Sequence, residues 1–217
     1  MFSEKALVLD FGGVISRTVF ETHADSERAL GLPSGTLKWR GPFEPETDPL
    51  WQSMQAGAIT ERDYWYERAR ETGALVGEVW NNLPSFLQRI RGAEPARIIR
   101  PEATRAIETC HAAGVKLAIL SNELDLFYGA GFREKLPLLN KFDLIVDATY
   151  TKILKPDPRA YESVSESLQI APQNCVFVDD QRRNVDGGIK AGMQVVHFDV
   201  RDPQSSYAEA LNKLGLD

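Results

Sequence analysis

The sequence predicts an α/β protein built on a mostly parallel sheet and interrupted early by a helical insert. Three observations carry that prediction. Short, almost wholly apolar runs recur, as strands covered on both faces require. Amphipathic helical patterns separate them, as parallel connections require. One long segment after the first run shows helical periodicity and no convincing strand.

Ala6–Leu9 reads as the first buried strand, closed by Asp10 and a Phe11-Gly12-Gly13-Val14 turn. Residues 17–93 form the insert, with helical stretches at Thr22–Leu30, Leu50–Gln55, Thr60–Arg70 and Leu75–Ile90. Thr60 with Asp63 resembles a capping box, with Asp in place of the usual Glu. Trp51, Tyr64, Trp65, Trp80 and Phe86 read as the core of this unit rather than as a cofactor cage. Its expected role is to cover the carboxyl ends of the strands and exclude water. The chain then alternates: helix Pro101–Ala113, strands Val115–Leu120 and Leu144–Val146, helix Pro158–Leu168, strand Cys175–Val178, helix Val185–Ala191 and strand Val195–Phe198. Pro101 suits a first helical turn, and Gly114 and Gly192 suit helix stops. Hinges are expected near Ile15–Arg17 and Gly92–Arg97, so the core comprises 1–16 and 94–217.

A net charge of -6 argues against nonspecific nucleic-acid binding but not against an anionic substrate, because a local cation can dominate a pocket. Hydrophobic content of 43% and charged content of 26% describe an ordinary globular chain. Cys110 and Cys175 sit in apolar stretches and are expected as buried free thiols. No apolar run approaches membrane-spanning length, and the first strand starts too early for a signal peptide. A cytoplasmic protein without membrane or nucleic-acid partners is expected, as a monomer or homodimer.

Four segments carry polar chemistry, three of them at strand ends and one at a helix start. In an open α/β sheet ligands bind at the carboxyl ends of the strands, which places Asp10 in a site, although it also reads as a turn cap. Ser121-Asn122 offers a hydroxyl and backbone N–H groups to a phosphate oxygen, or a helix cap. Lys155-Pro156-Asp157-Pro158 holds an ammonium between two prolines, suited to neutralising a carboxylate and a phosphate together, or left as a solvated loop lysine. Asp179-Asp180 ends an apolar run, where adjacent carboxylates are costly unless a cation meets them, and Mg²⁺ is the natural one. Asn184 can return to the site at a helix start.

Together these segments resemble the haloacid dehalogenase superfamily of hydrolases. Asp10-Phe11-Gly12-Gly13-Val14 is similar to its first motif and Ser121-Asn122 to its second. Lys155-Pro156-Asp157-Pro158 is similar to the third, and Phe177-Val178-Asp179-Asp180 with Asn184 to the fourth. The insert sits where the superfamily places a C1-type cap, and Gly57-Ala58-Ile59-Thr60 resembles a turn of those caps. The nearest branch is the phosphatases related to the N-terminal domain of soluble epoxide hydrolase. The resemblance implies a three-layered Rossmann-like core and a Mg²⁺-dependent phosphatase acting on a small phosphorylated molecule. It makes Asp10 the nucleophile, forming an aspartyl phosphate. Asp10 and Asp180 would bind Mg²⁺ through carboxylates and Gly12 through its carbonyl. Ser121, Asn122 and Lys155 would hold the phosphoryl group, Asp179 would orient Lys155 or a metal-bound water, and Asn184 would support Asp180.

One position departs from that pattern. These phosphatases carry a second aspartate two residues after the nucleophile, as acid and then base, and this chain has Gly12. Losing that group costs roughly 10²–10⁴-fold in rate, or about 3–5 kcal/mol of barrier. A good leaving group, a residue near the first linker such as Glu21, His23 or Asp25, or the substrate itself could make up the loss. His23 reads on sequence as a solvated helix residue. Metal-independent 2-haloacid dehalogenases also lack that aspartate, and a phospho-ligand or protein-binding module is a further reading. Phosphonoacetaldehyde hydrolase needs a cap lysine, for which Lys38 stands in no matching motif. Arg17, His23, Lys38 and Arg40 are candidates for substrate specificity by sequence proximity alone.

Overall fold

Ala6, Leu7, Val8 and Leu9 expose no surface, the condition of a strand covered on both faces. The structure, a computed structural model, describes residues 4–91 and 95–216 and divides into two compact units. The first comprises residues up to Arg17, Ala96–Asp125 and Ala130 onward; the second comprises Thr18–Pro95 with Leu126–Gly129.

In the first unit, β1 (Ala6–Leu9), β2 (Lys116–Ser121), β3 (Leu144–Asp147), β4 (Cys175–Asp179) and β5 (Gln194–His197) form one parallel sheet in the order β3-β2-β1-β4-β5. Leu9 lies opposite both Ile119 and Val178, Ser121 opposite Asp147, and Asp179 opposite His197. The polar strand ends therefore share one edge. Side chains alternate across the sheet: Ala6, Val8, Ala118, Leu120, Cys175 and Phe177 join Ala160, Tyr161 and Val164 in one buried cluster. The helices on that face are α8 (Pro158–Leu168) and α9 (Arg182–Lys190), while α5 (Pro101–Ala112) and α10 (Pro203–Leu214) pack together against the sheet. The result is the three-layered α/β core.

The inserted unit holds α1 (His23–Leu30), α2 (Pro49–Gln55), α3 (Glu61–Val76) and α4 (Leu83–Arg91). Short helices α6 (Leu124–Tyr128) and α7 (Ala148–Thr151) follow β2 and β3. Trp51, Tyr64 and Phe86 are buried in the inserted unit's core, with Trp65 and Trp80 packed against it. Thr60 and Asp63 form the expected capping box, Asp63 N–H donating to Thr60 Oγ at 3.1 Å and Thr60 N–H to Asp63 Oδ2 at 3.0 Å. Asp48 is buried at the start of α2, where it accepts from Trp51 N–H (2.9 Å), Gly41 N–H (3.2 Å), Tyr64 O–H (3.0 Å) and Arg68 Nη2 (2.5 Å).

Two expectations need correction. The stretch Leu75–Ile90 is not one helix: α3 runs on to Val76, Gly77 closes it at φ 70°, and α4 starts only at Leu83. α9 begins at Arg182 rather than Val185, because the carboxylate of Asp179 accepts the Gln181 N–H and turns the chain into the helix at once. Both cysteines are free and buried. Among the described residues no helix is long and apolar enough to cross a membrane. Part of the second expected hinge, residues 92–94, lies outside the described residues.

Candidate active site

Asp10 leaves β1 with its N–H donating to the Val178 carbonyl at 2.9 Å, and the chain then turns sharply. Gly13 makes the turn at φ 79°, and a Cβ there would stand 2.7 Å from Asp180 Oδ2. Conformation and the carboxylate behind it both demand glycine. Gly12 is different, with φ -70° and ψ 127°, and a Cβ there would meet nothing within 4 Å. Three buried donors fix the turn: Arg100 Nε to the Gly13 carbonyl (3.0 Å), Tyr207 O–H to that of Val14 (3.1 Å) and Arg100 N–H to that of Ile15 (3.0 Å).

Lys155 joins two strand ends. Its ammonium, 3% exposed, lies 2.9 Å from Asp10 Oδ1 and 2.6 Å from Asp179 Oδ2. Asn122 holds this lysine by the backbone, donating Nδ2 to its carbonyl (3.1 Å) and accepting its N–H at Oδ1 (2.7 Å). The Lys155–Pro156 peptide is cis, and Asp157 caps α8 by accepting the Arg159 N–H at 3.0 Å. The Asn122 side chain, expected on the phosphoryl group, is thus spent on Lys155. Ser121 ends β2, buried.

Asp179 has no exposed surface. It accepts from Gln181 N–H (2.8 Å), from Lys155 and from Asn184 Nδ2, 3.1 and 3.2 Å from its two oxygens. Asn184 was expected to support Asp180; its amide goes to Asp179 instead, because the early start of α9 swings it beneath that carboxylate. Tyr161 O–H donates to the Asn184 carbonyl at 2.7 Å and ties α8 to α9.

Asp10, Asp179 and Asp180 each offer an oxygen within 4.8 Å of the others. Burial, with the negative charge of Asp179 added, raises the Asp10 carboxyl to about 7 against the opposing pull of Lys155. Burial by itself would lower Lys155, but Asp10 and Asp179 outweigh it and hold the ammonium above its ordinary range. The Lys155 ammonium pairs with two of the three carboxylates, Asp10 and Asp179. Three hard oxygen donors gathered this closely fit a divalent cation such as Mg²⁺.

Sequence reasoning missed several residues. His197, at the end of β5, lies with Nε2 3.2 Å from the Asp180 carbonyl. Its level beside Asp179 follows from strand register, which only the assembled sheet supplies. Arg100 and Tyr207 carried no local signal at all. In the inserted unit His23 is buried rather than solvated. Arg40 Nη1 lies 3.3 Å from its Nδ1, Trp39 packs edge-on at 4.3 Å, and burial, with Arg40 adding to it, lowers the imidazole to about 4. Lys38 is exposed and Arg17 closes the core unit, its N–H donating to the Ile98 carbonyl at 2.7 Å.

A family model for haloacid dehalogenase-like hydrolases matches residues 4–192. The chain belongs to that family. Among relatives of this chain, Acyl-CoA dehydrogenase family member 10 of Mus musculus is 27% identical over 213 residues, 96% of this chain and 19% of its own length. Phosphatase MT3486 of Mycobacterium tuberculosis is 30% identical over 99 residues, 46% of either chain. The chain thus spans less than two thirds of the length of these relatives. The magnesium-bound structure of YfnB from Bacillus subtilis, described as a HAD-hydrolase, superposes with a TM-score of 0.69 at 18% identity, covering 99% of this chain and 100% of that one. It shares the fold.

Proposed function

We propose that this hydrolase is a Mg²⁺-dependent phosphatase that attacks a small phosphorylated molecule through Asp10. The observation that carries the proposal is the gathering of Asp10, Asp179 and Asp180, whose oxygens lie within 4.8 Å of one another and form a hard donor set suited to a divalent cation. Asp10 and Asp180 would hold it, with the Gly12 carbonyl. Bound there, it would neutralise charge on a phosphoryl group and on Asp10.

The chain's own residues account for the remainder. Lys155, fixed by Asn122 and Asp179, holds Asp10 for attack and supplies positive charge to a phosphoryl oxygen. Asp179, saturated with donors, keeps Lys155 in place. Ser121 stands at the adjacent strand end to bind a second oxygen. Phosphatase MT3486 and the magnesium-bound YfnB support the reading by similarity. A screen of phosphorylated metabolites with Mg²⁺ tests it: phosphate release should require the metal and vanish in Asp10→Asn, with circular dichroism unchanged. Undiminished release from that variant removes Asp10 from the nucleophile role.

Gly12 favours a second reading, 2-haloacid dehalogenase, in which a halide leaves without a proton. Chloride release from 2-chloropropionate without Mg²⁺ would establish it.

A further inference from the structure

A poorly leaving oxygen, such as an alkoxide, needs a proton as its bond to phosphorus breaks. Lys155 is locked between two carboxylates. Asp179 is fully buried and accepts three groups of donors. Asp180 is committed to the cation in the proposed reading. The amides of Asn122 and Asn184 have no labile proton to give. Tyr161 O–H is buried and donates to a backbone carbonyl. His197 lies with Nε2 on the Asp180 carbonyl, and Glu123 Oε2 is sealed from solvent.

The candidates of the inserted unit fare no better. Glu21 accepts Thr18 N–H and Oγ–H, each at 2.8 Å, and Asp25 pairs with Arg28 on the surface. His23 Nε2 is buried, and the imidazole is neutral at physiological pH. Arginine does not give up a proton in proteins.

Gly12 is the place where an acid would fit, and the backbone does not demand glycine there. Its φ of -70° suits any residue and its Cβ position is open. At Gly13 next to it a side chain would be strained by the φ of 79° and would press on Asp180. Among the described residues named above none is placed to give that proton, and the glycine at position 12 is not a cost of the turn.

We infer that this site, resting on the phosphatase reading above, selects substrates whose leaving oxygen departs as a stable anion, and that its substrate class is the acyl phosphates. Asp10 adds an oxygen lone pair to phosphorus as the bond to the leaving oxygen breaks. The electron pair stays on that oxygen, which departs as a carboxylate and takes no proton. Water then adds to the phosphorus of the aspartyl phosphate, whose bond to Asp10 breaks and restores the carboxylate. One proton of that water ends on phosphate and the other in solvent. Phosphoryl transfer passes through a loose transition state, with little bonding to the attacking oxygen and much charge on the leaving one. Lack of a proton relay therefore weighs on the leaving group far more than on the water, and the intermediate is itself an acyl phosphate.

The experiment compares kcat/KM for acetyl phosphate and propyl phosphate, with Mg²⁺, in the wild type, Gly12→Asp and Gly12→Asn. Gly12→Asp should shrink the acyl-over-alkyl ratio by roughly 10²–10⁴-fold, the usual worth of a general acid, while Gly12→Asn leaves it unchanged. A wild-type series of aryl phosphates with graded phenol acidity stands independent of either variant's folding. A steep rise in rate with leaving-group acidity supports the inference. Phosphate release indifferent to the leaving group overturns it and leaves the phosphatase reading intact. Release from none of these probes overturns both.

Discussion

Replacing Lys155 by methionine removes the one ammonium between Asp10 and Asp179 while keeping the side chain's length and apolar stem. The magnitude follows from the geometry. The ammonium is 3% exposed, Asp179 is fully buried, and the two contacts measure 2.9 and 2.6 Å. Breaking a buried pair by deleting one partner costs about 3–5 kcal/mol, because the remaining charge stays desolvated. For a chain of this size that lowers Tm by about 6–20 °C. The loss should be larger near pH 8 than near pH 5, since protonating one carboxylate relieves the uncompensated charge. Urea denaturation followed by two probes measures it. All four tryptophans (Trp39, Trp51, Trp65 and Trp80) belong to the inserted unit, so their emission reports that unit, whereas far-UV circular dichroism reports both. The dichroism transition should move to lower urea. A loss below about 1 kcal/mol near neutral pH would refute the charge-coupled triad.

Three further outcomes are expected. Because the cation-free Asp10 carboxyl is raised to about 7, Mg²⁺ must displace a proton below that pH; affinity should climb as pH rises through about 7, with proton release seen by calorimetry in buffers of different ionisation enthalpy. Gly13→Ala should lose about 1–2 kcal/mol from its left-handed backbone alone and weaken Mg²⁺ binding by displacing Asp180, whereas Gly12→Ala should do neither, as thermal melts and metal titration would show. Asp48→Ala leaves Arg68 buried without that carboxylate and should destabilise the inserted unit by about 3–5 kcal/mol, read from tryptophan emission in urea.

The strands were legible because burial on both faces leaves an unbroken apolar run, and β1 matches its expected limits. β2, β3 and β4 extend one residue further than expected because Ser121, Asp147 and Asp179 are polar, though each still pairs with its neighbour. Asp10, Asp179 and Asp180 meet because strand ends in a parallel sheet share an edge, a rule that local sequence suffices to invoke, and Lys155 reaches them from the segment before α8. The supports were not legible. Arg100 and Gly13 stand 87 positions apart and Tyr207 and Val14 193, and nothing near either residue announces the contact. Asn184 was assigned to the wrong aspartate because its direction depends on where α9 starts, and Arg182-Arg183 hides that start from any apolar pattern. Gly77 between Val76 and Val79 was read through as helix, since apolar spacing outweighed a single glycine.

The position of β1 shapes how the chain is made. This strand leaves the ribosome before the other four, yet it lies in the middle of the sheet, and residues 6–9 pair with 116–119 and 175–178. Both partners are synthesised after the whole of Thr18–Pro95, most of the inserted unit. During translation the insert therefore nears completion while four apolar residues with two unpaired edges wait for neighbours. Exposed edges of that kind recruit other chains. The nascent protein is most vulnerable to aggregation between the synthesis of β1 and that of β4, and a chaperone that covers Ala6–Leu9 would protect it through that interval.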